Sequence, residues 1–354
     1  MIVLSENLHL NVALLKRNVP NLTTAARAVG LRSATVSNLC TGKIPVGRAE
    51  VKTLVALADL AKCTLDELII RSDVFHKIET GIKVFDLFAP LVQGGTTGLV
   101  ARTNMGQLVV VAEVFNRLSK RGYQTVFLQT ISDYPNIEDI RSTADHVFRN
   151  IEDLIEWLRI IDDKEKVVLA TDRSVVLSGD LYTLRDRMKE AEFPPLTTLL
   201  FDPSGEVVDE EDPYGPLDTL WQFDMDLVAR KIYPSVNPVL STSIILEDAL
   251  VDSNHLTVQR RAKKYLRRYR EVRTLVNEIG LNRIHKDDVQ HFHRGERLEA
   301  FLSQPFFVAE EYTGIKGESV ILQDILTGIQ SILDGGADDI DVNELKYVGK
   351  FIKK

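Results

Sequence analysis

The stretch "TGLVARTNMGQLVV", residues 97–110, has the outline of a phosphate-binding loop but lacks the residues that bind phosphate. A strand-like run ends at Val100, a polar loop keeps one glycine at Gly106, and an apolar helical run follows. A working loop reads G-x-x-x-x-G-K-[ST], because its amides and lysine hold the phosphates and its hydroxyl holds magnesium. The corresponding positions here are Ala101, Arg102, Thr103, Asn104, Met105, Gly106, Gln107 and Leu108. The stretch therefore leaves two alternatives: the loop has kept its ligand, or the chain has kept a nucleotide-binding fold and lost the nucleotide chemistry.

Short apolar runs rich in β-forming residues extend this pattern along the chain. They are TTGLV at 96–100, QTVFLQT at 124–130, KVVLAT at 166–171 and LTTLLFD at 196–202. Helical stretches such as 107–120 and 149–161 separate them, which predicts an α/β fold with a parallel sheet and crossover helices. After Asn254 the pattern is helical almost to the end of the sequence.

Composition restricts the class of protein. The length of 354 residues suits two or three domains, and 44% hydrophobic with 27% charged residues is typical of a globular protein. No run approaches the ~18 apolar residues of a membrane span, so we expect no membrane insertion and a cytoplasmic location. The two cysteines, Cys40 and Cys63, have no partners at metal-binding spacing, which argues against a metal site and a disulfide framework.

Charge is distributed unevenly along the chain. The net charge is −8, yet residues 1–75 carry nine Lys/Arg against six Asp/Glu, so this part is +3 and the rest is −11. A basic head on an acidic body is typical of a small nucleic-acid-binding module joined to a larger domain.

Residues 7–70 have the pattern of short helices separated by tight turns. Leu8, Val12 and Leu15 lie at helical spacing, which predicts a first helix over "NLHLNVALLKR". The segment "TLDELII" at 64–70 opens with a threonine three residues before a glutamate, which predicts a capping box.

The order of these pieces resembles the helix-turn-helix of the Cro/phage-repressor type. The resemblance rests on "LTTAARAVGLRSATVSNLCTGKIPV" at 22–46 and "TLVALADLAKCTLDELI" at 53–69. Gly30 lies in the turn, Ser33 is a good N-cap for the next helix, and Val36 and Leu39 face the core.

This resemblance implies that helix 33–40 lies in the major groove of double-stranded DNA. The implied DNA-binding residues are Arg32, Ser33, Ala34, Thr35, Ser37, Asn38, Thr41 and Lys43. Arg32 suits a guanine edge and Asn38 an adenine edge, while the hydroxyl residues 33, 35 and 41 and Lys43 suit phosphates. Because few of these positions are basic, a head used for protein contact remains the alternative.

From residue 79 onward the chain resembles the nucleotide-binding and C-terminal helical domains of the F-type ATP synthase beta subunit. The segments that carry this resemblance are "ETGIKVFDLFAPLVQGGTTGLV" at 79–100, "IYPSVNPVLSTS" at 232–243 and "FLSQPFFVAEEYTGIKG" at 301–317. The small β-barrel that precedes the nucleotide domain in that family is absent, and the helix-turn-helix takes its place.

The resemblances together predict the architecture. We expect an all-α helix-turn-helix head, a P-loop NTPase-like parallel-sheet core and an α-helical C-terminal domain. The predicted boundaries are a DNA-binding domain over 1–72, a linker over 73–78, a degenerate nucleotide-binding domain over 79–250 and the helical domain over 251–354.

Matched to that subunit, the chain lacks the groups that hydrolyse nucleotides. Gln107 stands at the place of the phosphate-binding lysine, Leu108 at the place of the magnesium-binding hydroxyl, and Ser132 at the place of the catalytic glutamate. Only the metal-side acid persists, as Asp172, and an exposed aspartate at a strand end is common in any case. We therefore predict a pseudo-ATPase that needs no cofactor.

The base pocket of the family is better preserved. Its aromatic positions correspond to Tyr233, Phe306 and Tyr312, all of which are still aromatic. Stacking on such rings contributes about 1–3 kcal/mol per base, so weak adenine-nucleotide binding stays open. The alternative is that these rings have become core or subunit-contact residues.

Three charged motifs lie outside these sites. "RRAKKYLRRYR" at 260–270 suits nucleic acid, but a solvated helix face is favoured. "VVDEEDPYG" at 207–215 predicts an acidic surface loop, and His291 and His293 predict a solvated face without metal-ligand partners.

The sequence thus predicts a DNA-binding transcription regulator. Its body would be a hydrolysis-dead module for oligomerisation, partner recognition or nucleotide sensing, with a homo-oligomer expected. Two alternatives remain: an assembly or inhibitor protein that contacts ATP synthase-like subunits, and a cryptic ATPase.

Overall fold

The computed structural model describes residues 8–19, 21–40, 44, 46–71, 76–130, 134–210, 214–247 and 250–351. The chain divides into two compact units, residues 1–76 with 244–253 and residues 77–243 with 254–354. Each unit has its own hydrophobic core. The domain boundaries predicted from the sequence stay predictions.

The first unit is a cluster of short helices closed by a small β-ribbon. Its elements before residue 76 are β1 (Leu8–Leu10), α1 (Val12–Asn18), α2 (Leu22–Ala28), α3 (Ser33–Cys40), α4 (Val51–Ala61), α5 (Leu65–Leu68) and β2 (Ile69–Arg71). Leu15, Leu57 and Leu68 are fully buried at its centre. Gly30 ends α2 in the left-handed region at φ +79°, as predicted, and the amide of Leu31 donates to the carbonyl of Ala26.

The β-ribbon corrects two expectations. Leu8 is not helical: it pairs with Arg71 in the antiparallel ribbon of β1 and β2, and α1 begins only at Val12. The side chain of Asn11 sets this start, because its Oδ1 accepts a hydrogen bond from the amide of Leu14 at 3.0 Å. The predicted capping box is present between Thr64 and Glu67, but the helix stops at residue 68 and the chain continues as β2.

The second unit is built on a seven-stranded sheet in the order β11-β10-β5-β9-β8-β6-β7. The strands of this sheet are β5 (Thr96–Val100), β6 (Gln124–Leu128), β7 (His146–Phe148), β8 (Val167–Asp172), β9 (Thr197–Phe201), β10 (Thr219–Gln222) and β11 (Thr242–Ser243). Two further strands, β3 (Lys77–Ile78) and β4 (Leu91–Val92), form a separate antiparallel ribbon. All neighbouring pairs in the large sheet are parallel except β10 with β11. The predicted α/β class with a parallel core is confirmed.

Helices alternate with these strands along the chain and continue after them. They are α6 (Lys83–Phe88), α7 (Gln107–Ser119), α8 (Glu138–Arg141), α9 (Ile151–Ile160), α10 (Ser174–Leu177), α11 (Asp180–Glu190), α12 (Met225–Ala229), α13 (Ile244–Glu247, in the first unit), α14 (Ser253–Ile279), α15 (Lys286–Leu302), α16 (Glu310–Thr313) and α17 (Leu322–Leu333). The helical end of the chain is as predicted. None of the helices in the described part of the chain combines the length and apolar character that a membrane span requires.

A buried ion pair on α7 ties three distant segments together. Glu113 and Arg117 lie 2.6 Å apart with their side chains 0% and 2% exposed. The carboxylate of Glu113 also accepts the amides of residues 307–308, at 3.1 and 3.0 Å. Arg117 donates to the carbonyl oxygens of Gly81 at 3.0 Å and Glu318 at 2.7 Å. Each charge is therefore compensated and hydrogen-bonded, which a buried ion requires.

We expect Arg117→Met to lower the free energy of unfolding by about 3–5 kcal/mol, because it leaves the Glu113 carboxylate buried without its cation. Urea unfolding measures this loss. The double variant Glu113→Gln with Arg117→Met should recover part of it, since no buried charge is left. Arg187→Met, which removes an exposed pair with Glu152, should change stability by less than about 1 kcal/mol. Equal losses for the two single arginine variants would contradict this account.

Candidate functional site

The recognition helix α3 presents the face expected of a helix-turn-helix. Val36 and Leu39 are 2% and 3% exposed and belong to the core of the head. The side chains of Arg32, Ala34 and Ser37 are exposed, and those of residues 33, 35 and 38 are half-buried. The predicted contacts Thr41 and Lys43 lie outside the described residues.

The start of α3 differs from the expectation in one respect. Ser33 is the first helical residue and not the N-cap, because the amides of Thr35 and Val36 both donate to the carbonyl of Arg32. The Ser33 hydroxyl instead accepts a hydrogen bond from Nε of Arg27 at 2.6 Å. Arg27 is exposed and its charge therefore lies at the N-terminal end of α3, a position that the helix pattern alone did not single out.

In the second unit, the degenerate phosphate loop lies between β5 and α7, the position of a working loop in this fold. Asn104 and Gly106 take left-handed conformations, with φ of +62° and +88°. Asparagine tolerates this region better than most residues, so the conformation of Asn104 costs little. Ala101 and Arg102 do not have positive φ, so neither position requires the conformational freedom of glycine.

The interior of the loop is filled by its own side chain. Met105 is 3% exposed, and its sulfur accepts the backbone amide of Arg102 at 3.1 Å. The carbonyl of Met105 accepts the Ser235 hydroxyl at 2.8 Å, which fixes the loop against the 232–243 segment. The amide of Arg102 is thus already engaged within the loop.

The one cation of the loop is also engaged. Both terminal nitrogens of Arg102 donate to the carboxylate of Asp209, at 2.5 and 2.6 Å. Asp209 belongs to the predicted acidic loop, whose Val207 is buried and whose Glu210 pairs with Arg173. The acidic loop therefore contacts the phosphate loop and supplies an internal anion. Both Arg102 and Asp209 are half-exposed or more, so the pair is open to competition from solvent ions.

A cleft of about 330 Å³ opens beside the start of α7. It is lined by Thr103, Asn104, Gly106, Gln107, Leu108, Val109, Tyr134, Pro135, Asn136 and Pro203. These side chains are polar or apolar but carry no charge, so the described lining does not complement a triphosphate. The residue at the catalytic glutamate place, Ser132, lies outside the described residues.

Asp172, the predicted residual metal-side acid, is not an exposed strand-end residue. It is 0% exposed at the end of β8, with Phe201 opposite it in β9. One carboxylate oxygen accepts the amide of Ser174 at 2.8 Å, and the other has no hydrogen-bond partner among the described residues. Burial raises the pKa of Asp172, and the nearby Asp202 carboxylate adds to the shift. This environment works against the ionised form that a metal ligand needs.

The three predicted base-pocket aromatics have different environments. Phe306 is 7% exposed and belongs to the core of the second unit, whereas Tyr233 is 40% and Tyr312 is 87% exposed. The carbonyl of Tyr233 accepts the amide of Gln304, two residues before Phe306, at 2.9 Å. Two of the three rings are therefore accessible to a ligand or a partner.

The histidine motif is half-buried rather than fully solvated. The ring of His291 stacks on Tyr265 with centroids 4.7 Å apart, and His293 packs against Phe292. Within the described part of the chain, no group of three His, Cys, Asp or Glu side chains has an arrangement suited to a metal ion.

We expect Asp172→Asn to raise the melting temperature at neutral pH, because the amide keeps the acceptor for Ser174 and removes a carboxyl that the fold holds against ionisation. Since the pKa is raised in the folded state, wild-type stability is lost as pH rises above the ordinary aspartate pKa of about 3.9. The advantage of the variant should therefore disappear at lower pH. Thermal unfolding across pH measures it.

Asp202→Asn is the matched control. Burial opposes ionisation of Asp202, but hydrogen bonds from Ser204 and Val207 outweigh it and lower the pKa. This substitution should destabilise the protein at neutral pH. If both variants destabilise equally, Asp172 is not held against ionisation.

Comparison with known proteins agrees with this geometry. Residues 9–73 match the family described as the Cro/C1-type HTH DNA-binding domain. Among solved structures, the chain is similar to the ATP synthase subunit NeqB from Nanoarcheaum equitans, with a TM-score of 0.54. The match covers 76% of this chain and 80% of that one at 15% sequence identity, so the likeness is one of fold alone. The chain thus joins a helix-turn-helix domain of the Cro/C1 type to a body with an ATP synthase subunit-like fold.

Proposed function

We propose that this protein is a DNA-binding transcription regulator whose body is a hydrolysis-dead relative of a nucleotide-binding subunit. The observation that carries the proposal is the recognition helix: Val36 and Leu39 anchor α3, while Arg32, Ala34 and Ser37 face outward. A helix anchored on one side and open on the other fits the major groove.

The net charges of the head and body support this reading. The head is +3 and the rest of the chain is −11, so the net charge of the head attracts the phosphate backbone of DNA. DNA binding would then depend on contact between the head and the DNA. Two or more heads in an oligomer would gain affinity through linked half-sites.

For the body, the engaged loop favours a role other than catalysis. Arg102 is held by Asp209, the loop is filled by Met105, and the lysine place is Gln107. Each charge-assisted hydrogen bond to phosphate is worth about 1.5–3 kcal/mol, so losing several removes most triphosphate affinity. We propose oligomerisation, partner recognition or the sensing of a ligand as the role of this body. Weak adenine-nucleotide binding through exposed rings such as Tyr233 stays an open alternative.

We expect the full-length protein to bind duplex DNA, with an affinity that falls as salt rises because counterions replace phosphate contacts. Selection from random DNA followed by titration would give the preferred site. Arg32→Ala and Asn38→Ala should each cost about 1–3 kcal/mol on that site and relax its sequence preference. Lys43→Ala should instead weaken all sequences about equally.

Lys52→Ala is the control, because Lys52 is an exposed cation of α4 already paired with Glu50 at 2.6 Å. It should leave sequence preference unchanged. An absence of DNA binding at low salt would overturn the proposal and favour the head as a protein-contact module, as in an assembly or inhibitor protein.

We expect no ATP turnover above background, because the phosphate-binding lysine and the magnesium-binding hydroxyl are replaced by Gln107 and Leu108. A coupled phosphate-release assay with magnesium measures this. Magnesium-dependent turnover that is abolished by Asp172→Ala would contradict the pseudo-ATPase reading.

A further inference from the structure

Helix α14 carries an excess of positive charge in an acidic chain. It has eight Lys/Arg and two Asp/Glu, against a net charge of −8 for the whole protein. Its basic residues are Arg260, Arg261, Lys263, Lys264, Arg267, Arg268, Arg270 and Arg273. The fold separates these cations into two groups.

The first group of cations forms contacts within the second unit. Four arginines of α14 form ion pairs with aspartates of other segments, and the ammonium of Lys263 donates to the carbonyl of Ser241. The ion pairs are Arg261–Asp334, Arg268–Asp288, Arg270–Asp224 and Arg273–Asp226. These contacts fasten α14 to its neighbours and account for five of the eight cations.

The other group is a basic stripe formed by Arg260, Lys264 and Arg267. All three side chains are exposed, and none forms an ion pair or hydrogen bond with any residue that the structure describes. The spacings of four and three residues place them on one face of the helix. The stripe is therefore a continuous row of unneutralised charge.

Folding does not explain this row. Like charges three or four residues apart repel each other and weaken a helix. The nearest acid along the same face, Glu271, is held by Arg268 at 2.9 Å. The stripe therefore lowers the stability of the helix. Its three charges are available to a binding partner outside the described fold.

We propose that the basic stripe binds the phosphodiester backbone of duplex DNA, as a second contact in addition to the head. With a rise of 1.5 Å per residue, the three cations span about 10 Å along the helix. A DNA strand has one phosphate per 3.4 Å of axis, so this length covers about three phosphates. Arginine and lysine are the residues that bind phosphate, and two of the three are arginines suited to bidentate contact. The inference rests on the proposed DNA-binding function.

The test uses the full-length triple variant Arg260→Gln, Lys264→Gln and Arg267→Gln, titrated with the selected DNA site in a long duplex over a range of salt. Glutamine keeps the helix propensity of these exposed positions. Loss of three phosphate contacts should make the slope of log K against log salt shallower by about 2 to 3. Affinity at low salt should fall, while sequence preference should stay unchanged.

The matched control removes three exposed cations elsewhere in the second unit, with Arg159→Gln, Lys189→Gln and Lys316→Gln. It changes the net charge equally and should leave the slope near that of the wild type. An unchanged slope in the stripe variant, or an equal change in the control, overturns the inference and leaves an acidic protein as the alternative partner. Failure of the wild type to bind DNA at all would instead reject the proposed function.

A footprint on the unmodified protein provides an independent readout. An amine-reactive reagent should label Lys264 less when the long duplex is bound, whereas Lys189 should be labelled equally with and without DNA. Equal labelling of Lys264 in both states would overturn the inference even if the triple variant were poorly folded.

Discussion

The second unit depends on the buried pair of Glu113 and Arg117 in α7. This helix carries the degenerate phosphate loop at its start, and its two charges reach the chain at Gly81, at residues 307–308 and at Glu318. A buried charge must keep its partners, so the segments that supply them cannot move independently. The loop that precedes α7 is therefore held in place between β5 and this helix.

The loop itself satisfies its polar groups from within the chain. A buried thioether accepts an amide, and the carboxylate of Asp209 neutralises Arg102. Such a loop needs no bound anion for stability, whereas a working loop gathers amides and cations that only phosphate satisfies. Asp172, at the end of β8, differs from the loop: one of its carboxylate oxygens is buried without a hydrogen-bond partner among the residues that the structure describes.

Much of the fold was predictable from local pattern, and most of the site was not. Apolar runs that alternate with helical stretches predict the parallel strands, and the resemblance to a helix-turn-helix implies that Val36 and Leu39 anchor α3. Contacts between distant residues escape such reasoning: Arg102 and Asp209 are 107 positions apart, and Leu8 pairs with Arg71. The predicted helix wrongly included Leu8 for this reason, because strand pairing with β2 overrides local periodicity. Burial of Asp172 also follows from tertiary packing.

The ribbon of β1 and β2 gives the head a property beyond its stability. Leu8 and Arg71 are directly opposite each other, so the two ends of the described segment 8–71 lie roughly 5 Å apart, the distance between paired antiparallel residues. A domain whose two ends lie this close together can be moved as one unit. It can be inserted into a surface loop of another protein, or circularly permuted by joining its ends, without separating strands that its core requires.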